Sequence, residues 1–180
     1  MDLVELIIRI EETFAIQIPG RVAPELTTPG KVTDYILTQV EESPVPLPCL
    51  SQKAFHLLRR GFIQHLTLPR RRFRLDTTLN EIVPEESRAE VWKGISSVVG
   101  AKKWPAMSRL KWLRFMSPKV QSVRELVEYL VTHEPLIIKG SEVAWSRGQV
   151  WDVLKRIIKD ETAVTDFSED SRFVEDMHLD

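Results

Sequence analysis

The sequence repeats itself, and the repeat is broken. At an offset of 94 residues, Thr28, Val32, Asp34, Tyr35, Ile36 and Leu37 match Ser122, Leu126, Glu128, Tyr129, Leu130 and Val131. The same offset pairs Phe73, Asp76, Thr77, Leu79 and Glu81 with Phe167, Asp170, Ser171, Phe173 and Glu175. A related match joins Glu5, Leu6, Ile10, Phe14 and Pro19 to Glu90, Val91, Ile95, Val99 and Pro105, and an insertion of about nine residues near 108–116 absorbs the shift. Self-similarity on this scale means that one supersecondary unit is used twice. The middle of the chain holds the unit whole, as helix, long loop, helix, loop, helix. The ends hold it in two pieces and in swapped order, the first helix and loop over 146–180 and the remaining helices over 1–42.

The elements of the unit are helical. Leu3, Leu6, Ile7, Ile10 and Phe14 recur at the spacing of one helical face, with Glu5, Arg9 and Glu12 outward. Residues 15–30 carry Pro19, Gly20, Pro24, Pro29 and Gly30 and read as a structured loop with at most a short helical turn. A second helix is expected over 31–40, and the prolines of 43–48 cannot propagate it. Ser51 is placed to cap a third helix carrying Phe55, Leu58, Phe62, Ile63 and Leu66. A loop follows over 69–79, then helices over 85–99 and 122–131, and a last helix that Ser146 caps and that runs to about Lys159. Residues 100–119 read as irregular and 167–180 as mostly loop. No strict alternation or hairpin signal supports a sheet. The expected fold is all-α, in two small helical bundles. One is continuous over 51–132, and the other is split between 1–42 and 146–180, with linkers at 43–50 and 133–145. Phe14, Tyr35, Phe62, Trp92, Tyr129, Trp151 and Phe173 are the expected aromatic core.

Charge separates the same two units. The chain as a whole carries a formal net charge of −1, but residues 43–140 hold 17 Lys and Arg against 8 Asp and Glu. Residues 1–42 hold 3 against 8, and residues 141–180 hold 5 against 10. Such asymmetry gives the two lobes different partners or makes them attract each other. The single cysteine, Cys49, excludes an internal disulfide framework and a multi-cysteine zinc site. No apolar run is long enough to span a bilayer, and the first residues lack the pattern of a signal peptide, so a cytoplasmic protein is expected.

Read C-terminus first, the split unit gives FSEDSRFVEDMHLD over 167–180, then VELIIRIEETFAIQIP over 4–19 and LTTPGKVTDYI over 26–36. In that cyclic order the three fragments closely resemble an acyl carrier protein, the phosphopantetheine-bearing four-helix domain. The middle unit reads as a degenerate carrier-like repeat. The resemblance implies a circularly permuted carrier fold or, alternatively, a domain-swapped homo-oligomer. It also implies an acidic face presented to basic patches on acyl-transfer or lipid-biosynthesis enzymes. On this chain that face would hold Glu5, Glu11, Glu12, Glu175, Asp176 and Asp180. In the family, a serine directly after the final aspartate of the loop carries the phosphopantetheine arm, and no serine stands there after Asp180. In the middle unit Glu85 falls at the corresponding position and Ser87 two residues later. Ser87 is thus the candidate attachment serine if phosphopantetheine is carried at all, and its alternative role is a helix cap. No other cofactor is expected.

No active site assembles elsewhere in the sequence. His56, His65, His133 and His178 form no metal-ligand spacing, and the glycines form no phosphate loop. The acidic run over 168–180 lacks the glycine of a calcium loop. Cys49 has no positioned base beside it and reads as inert. Two basic stretches remain. Residues 51–75 and 101–124 each hold seven Lys or Arg and no acid. Arg70, Arg71, Arg72 and Arg74 stand out in the first, and Lys102, Lys103, Arg109 and Lys111 in the second, with Trp104, Trp112 and Phe115 interleaved. Such a patch suits an acidic protein surface (the chain's own acidic lobe included) or phosphate contact with base stacking on nucleic acid. The tryptophans equally suit a core role. The expected function is therefore a non-enzymatic, carrier-like interaction protein. The alternatives are a carrier modified at an unplaced serine and a helical nucleic-acid-binding protein.

Overall fold

Caps and prolines fix where the helices begin. A computed structural model describes residues 3–107 and 119–179. Their regular structure is helical apart from two strands of two residues each, so the chain is all-α. The helices are α1 (Leu3–Phe14), α2 (Pro29–Gln39), α3 (Leu50–Leu66), α4 (Leu79–Ile82), α5 (Arg88–Val99), α6 (Val123–His133), α7 (Pro135–Lys139) and α8 (Arg147–Thr162). The strands β1 (Ala106–Met107) and β2 (Lys119–Val120) pair in parallel. Short 3-10 turns stand at Ala23–Glu25 and Arg70–Arg72. The chain packs as two compact units, one of residues 1–48 and 140–180 and the other of residues 49–139.

In the first unit α8 packs against both α1 and α2. The apolar stripes read from the sequence face inward, so Leu6, Ile10 and Phe14 of α1, Val32 and Ile36 of α2, and Val150, Val153, Leu154, Ile157 and Ile158 of α8 are buried. α2 begins two residues before the expected start. Thr28 is extended, its side chain accepts from the Lys31 amide at 3.3 Å, and Pro29 occupies the first turn, where its missing N–H costs nothing. Ser146 caps α8 in the same way, through the Gln149 amide at 3.3 Å. The loop after α8 turns back onto the helices. The Phe173 amide donates to the Thr27 carbonyl at 3.1 Å and the Gly30 amide to the Glu169 carbonyl at 2.8 Å, while Phe173, Met177 and Leu179 are buried. Gly30 permits this approach, since a Cβ there would stand 2.9 Å from the Glu169 carbonyl oxygen.

Trp145 departs from the sequence-based expectation of a linker over 133–145. It is buried against Phe14 at a ring separation of 5.1 Å. Its amide donates to the Glu41 carbonyl at 2.7 Å, and its carbonyl accepts from Ser43 at 2.8 Å. A lone aromatic outside any periodic run gives no sign that a distant extended segment will pair with it.

In the second unit α3 packs against α5, α6 and α7. Its core is built from Leu50, Ala54, Leu58 and Phe62 of α3, Ile95 of α5, and Leu126 and Leu130 of α6. Gly61 is buried facing α5, where a Cβ would meet Ile95 at 3.4 Å, an ordinary van der Waals contact. Phe62 meets Phe73 and Trp92, and the Trp92 indole donates to the Pro105 carbonyl at 2.8 Å.

Three boundaries in this unit differ from expectation. α3 starts at Leu50 with Cys49 as its N-cap, so Ser51 lies inside the first turn and is not the cap. The Gln52 and Lys53 amides donate to the Cys49 carbonyl, so the helix starts two residues early. α5 starts at Arg88, because Pro84 and the turn after it delay the helix. The stretch expected to be a linker contains α7, with Ile138 and Lys139 buried. Among the expected aromatic core, Phe14, Phe62 and Phe173 are buried, whereas Tyr35, Trp92, Tyr129 and Trp151 are half-buried. Tyr35 stays at the edge of the core, where its hydroxyl donates to the Gln17 carbonyl at 3.0 Å.

Candidate interaction faces

The acidic residues on and near α1 divide into two kinds. Glu11 turns inward, and its Oε1 accepts from the Ile18 amide at 2.6 Å, fastening the turn that follows α1. Asp176 is also engaged with backbone, its carboxylate accepting from the Arg172 amide at 2.7 Å. Glu175 pairs with the Arg172 guanidinium at 2.9 Å, and Glu12 stands 4.0 Å from Arg9. Glu5 is exposed in the first turn of α1, where a carboxylate complements the positive end of the helix dipole. The outward side of α1 also exposes Val4 and Ile8, and the neighbouring loop exposes Val174. Apolar and acidic groups thus share one surface of the first unit. Asp180 lies outside the described residues.

Under this surface, Leu3, Leu6, Ile7 and Ile10 of α1 join Ile18, Ala23, Leu26, Val32 and Phe173 around an apolar cavity of about 40 Å³. Nothing in the sequence pattern signals it. A gap of that size holds little more than one solvent molecule, so any acyl chain would have to open it.

Ser87 is half-buried at the N-cap of α5, with φ −107° and ψ 11°. That backbone is not the extended conformation from which a cap side chain reaches back, and its hydroxyl makes no cap bond. The preceding Glu85 and Glu86 are exposed.

Among the basic residues, Arg70, Arg71 and Arg72 form the exposed 3-10 turn after α3, and Arg74 is exposed just beyond the buried Phe73. Lys102 and Lys103 are exposed after α5, and the Lys103 amide donates to Glu134. Arg109 and Lys111 lie outside the described residues, as do Trp112 and Phe115. Arg70 lines a groove with His56, Arg59 and Arg60 of α3. Arg59 and Arg60 belong to the acid-free basic stretch over 51–75, and their spacing of three and four residues from His56 sets all three on one helical stripe.

His178 is exposed with φ 56°, and His133 stacks on Tyr129 at 4.1 Å. Cys49 is exposed. Among the described residues no three His, Cys, Asp or Glu converge as metal ligands, and no helix is long and apolar enough to cross a membrane.

A 36-residue stretch of the chain is 53% identical to the mitochondrial acyl carrier protein of Saccharomyces cerevisiae. The chain carries an acyl-carrier-like region. The match covers 20% of this chain and 29% of that protein, so the chain spans less than a third of the relative's length. No family model matches the chain, and no solved structure does. The acyl-carrier-like region is thus identified by sequence.

Proposed function

We infer that the protein is a non-catalytic, carrier-like interaction protein that works beside acyl-transfer or lipid-biosynthesis enzymes. The observation that carries this reading is the 53% identity over 36 residues with an acyl carrier protein. The mixed acidic and apolar surface around α1 would serve as the partner face, with Glu5, Glu12, Val4, Ile8 and Val174 outward. Charge on such a face governs encounter and orientation, and exposed apolar groups supply the contact itself.

The second part of the reading is that both units repeat one carrier-like design, with the first circularly permuted. Hydrogen bonds support it. The Phe173–Thr27 bond has a counterpart in Leu79–Gln121 at 2.8 Å, and the Gly30–Glu169 bond has one in Arg124–Leu75 at 2.8 Å. The Thr28 cap on the Lys31 amide corresponds to the Ser122 cap on the Glu125 amide at 3.2 Å. Every residue of each set lies 94 positions from its equivalent. A domain cut in two and rejoined in the opposite order matches a continuous relative only piece by piece, which fits the short span of the identity.

No prosthetic arm is assigned to residues 1–180. Ser87 follows Glu85 and Glu86 in place of the aspartate that precedes the family's attachment serine. Intact mass after incubation with coenzyme A and a broad-specificity phosphopantetheinyl transferase tests this directly. The expected result is no gain while a control carrier in the same tube is modified. A gain of one arm makes the protein a working carrier, and peptide mapping then shows whether Ser87 holds it. The cytoplasmic assignment is tested by cell fractionation, since the matched relative is mitochondrial.

A further inference from the structure

A basic groove on the second unit is independent of the carrier reading. His56, Arg59, Arg60, Ile63 and Gln64 follow one another along α3 at intervals that place them on one stripe. Thr67 then takes the left-handed conformation, α3 stops, and Pro69 sends the chain into the 3-10 turn that begins at Arg70. Arg70 thereby returns to the same stripe, and the six residues enclose a groove of about 480 Å³.

The charges in this groove are not neutralised from within. Residues 51–75 contain no Asp or Glu, and among the described residues Arg59, Arg60 and Arg70 enter no ion pair. The negative end of the α3 dipole favours cations in its last turns, but that partial charge falls well short of three guanidiniums. Arg59 is also held in place. Its Nη2 donates to His56 Nδ1 at 3.0 Å, and its guanidinium lies over the Phe55 ring at 5.5 Å. A fixed guanidinium loses less entropy when it takes a ligand.

The geometry points to a groove that binds the phosphate groups of a polyphosphate or phosphodiester ligand. Several guanidinium forks around one space suit clustered, multiply charged phosphate oxygens, and Gln64 adds a neutral donor. Neither phenylalanine offers an open face for base stacking, because Arg59 covers Phe55 and Phe73 is buried.

Calorimetric titration of the full chain tests the groove, with sodium tripolyphosphate, a short oligo-thymidylate and oligo-glutamate as separate probes at two salt concentrations. Saturable binding of a phosphate probe is expected, weakening as salt rises. Arg60→Gln and Arg70→Gln should each reduce it about tenfold, the loss of one charge-assisted bond. Lys93→Gln, at an exposed position on α5, should leave it unchanged. Binding of tripolyphosphate alone identifies a free polyphosphate ligand, and binding of the oligonucleotide through the same arginines identifies a phosphodiester backbone. Arg60 and Arg70 are both exposed, and circular dichroism melting confirms that each variant is folded. The proposal is overturned if neither phosphate probe binds, if oligo-glutamate binds equally well, or if Lys93→Gln costs as much as the arginine variants.

Discussion

The Phe173 amide donates to the carbonyl of Thr27 at 3.1 Å, joining residues 146 positions apart in the chain. Between them lies the whole second unit, so the first unit closes only when both ends of the chain meet. Closing so long a loop costs chain entropy that grows slowly with its length. The buried Phe173 ring, the Gly30–Glu169 bond and the ion pairs of Arg147 with Asp34 and Glu169 offset that cost.

Phe173→Ala should therefore destabilise the first unit by about 3–5 kcal/mol, the range for removing a buried aromatic ring. Urea denaturation followed by Trp fluorescence measures the shift. A loss below roughly 1 kcal/mol would mean that the loop contributes little to the core.

Two glycine substitutions should act in opposite directions. Gly30→Ala places a Cβ 2.9 Å from the Glu169 carbonyl oxygen, so either the loop or α2 must give way, at about 1–3 kcal/mol. Gly148→Ala meets nothing within 4 Å near the start of α8 and should stabilise by about 0.5–1 kcal/mol. Thermal melts of the two variants should fall on either side of the parent.

Arg147 bridges Asp34 and Glu169, the latter at 2.5 Å. The hydrogen bond to Asp34, and then the one to Glu169, raise its pKa above the ordinary arginine value. A raised folded-state value means that its contribution is complete below the unfolded pKa and is lost only as pH climbs through the folded one. Arg147→Gln should therefore cost the same at about pH 6 and about pH 9, well below any arginine pKa. With the side chain nearly half exposed, that cost should be no more than about 1 kcal/mol. Paired denaturation curves at the two pH values check both statements.

Ala163 ends α8 at φ 58°, a conformation that glycine adopts without penalty. Ala163→Gly should stabilise by about 1 kcal/mol, read as a higher midpoint in urea. An unchanged or lower midpoint would show that the flexibility glycine adds to the unfolded chain outweighs the relief of strain.

A rearranged chain running from residue 140 to 180, through one added serine, to residues 1–48 tests the permuted reading. It should fold without residues 49–139 and should accept a phosphopantetheine arm on the added serine. A chain that folds yet stays unmodified would separate the shape of a carrier from its recognition.

The helices were legible in the sequence because periodicity and capping act within a few residues. The stripes on α1 and α8 and the Ser146 cap needed nothing from the rest of the chain. The opposed charges of the two units were equally plain, since charge sums along the sequence. Tertiary structure alone decided how individual side chains are used. Glu11 faces the Ile18 amide rather than solvent, Trp145 fills a core beside Phe14, and Arg70 returns across a turn to Arg59 and Arg60. A side chain's burial and partners depend on segments far away in the chain, and neither spacing nor propensity encodes where those segments will lie.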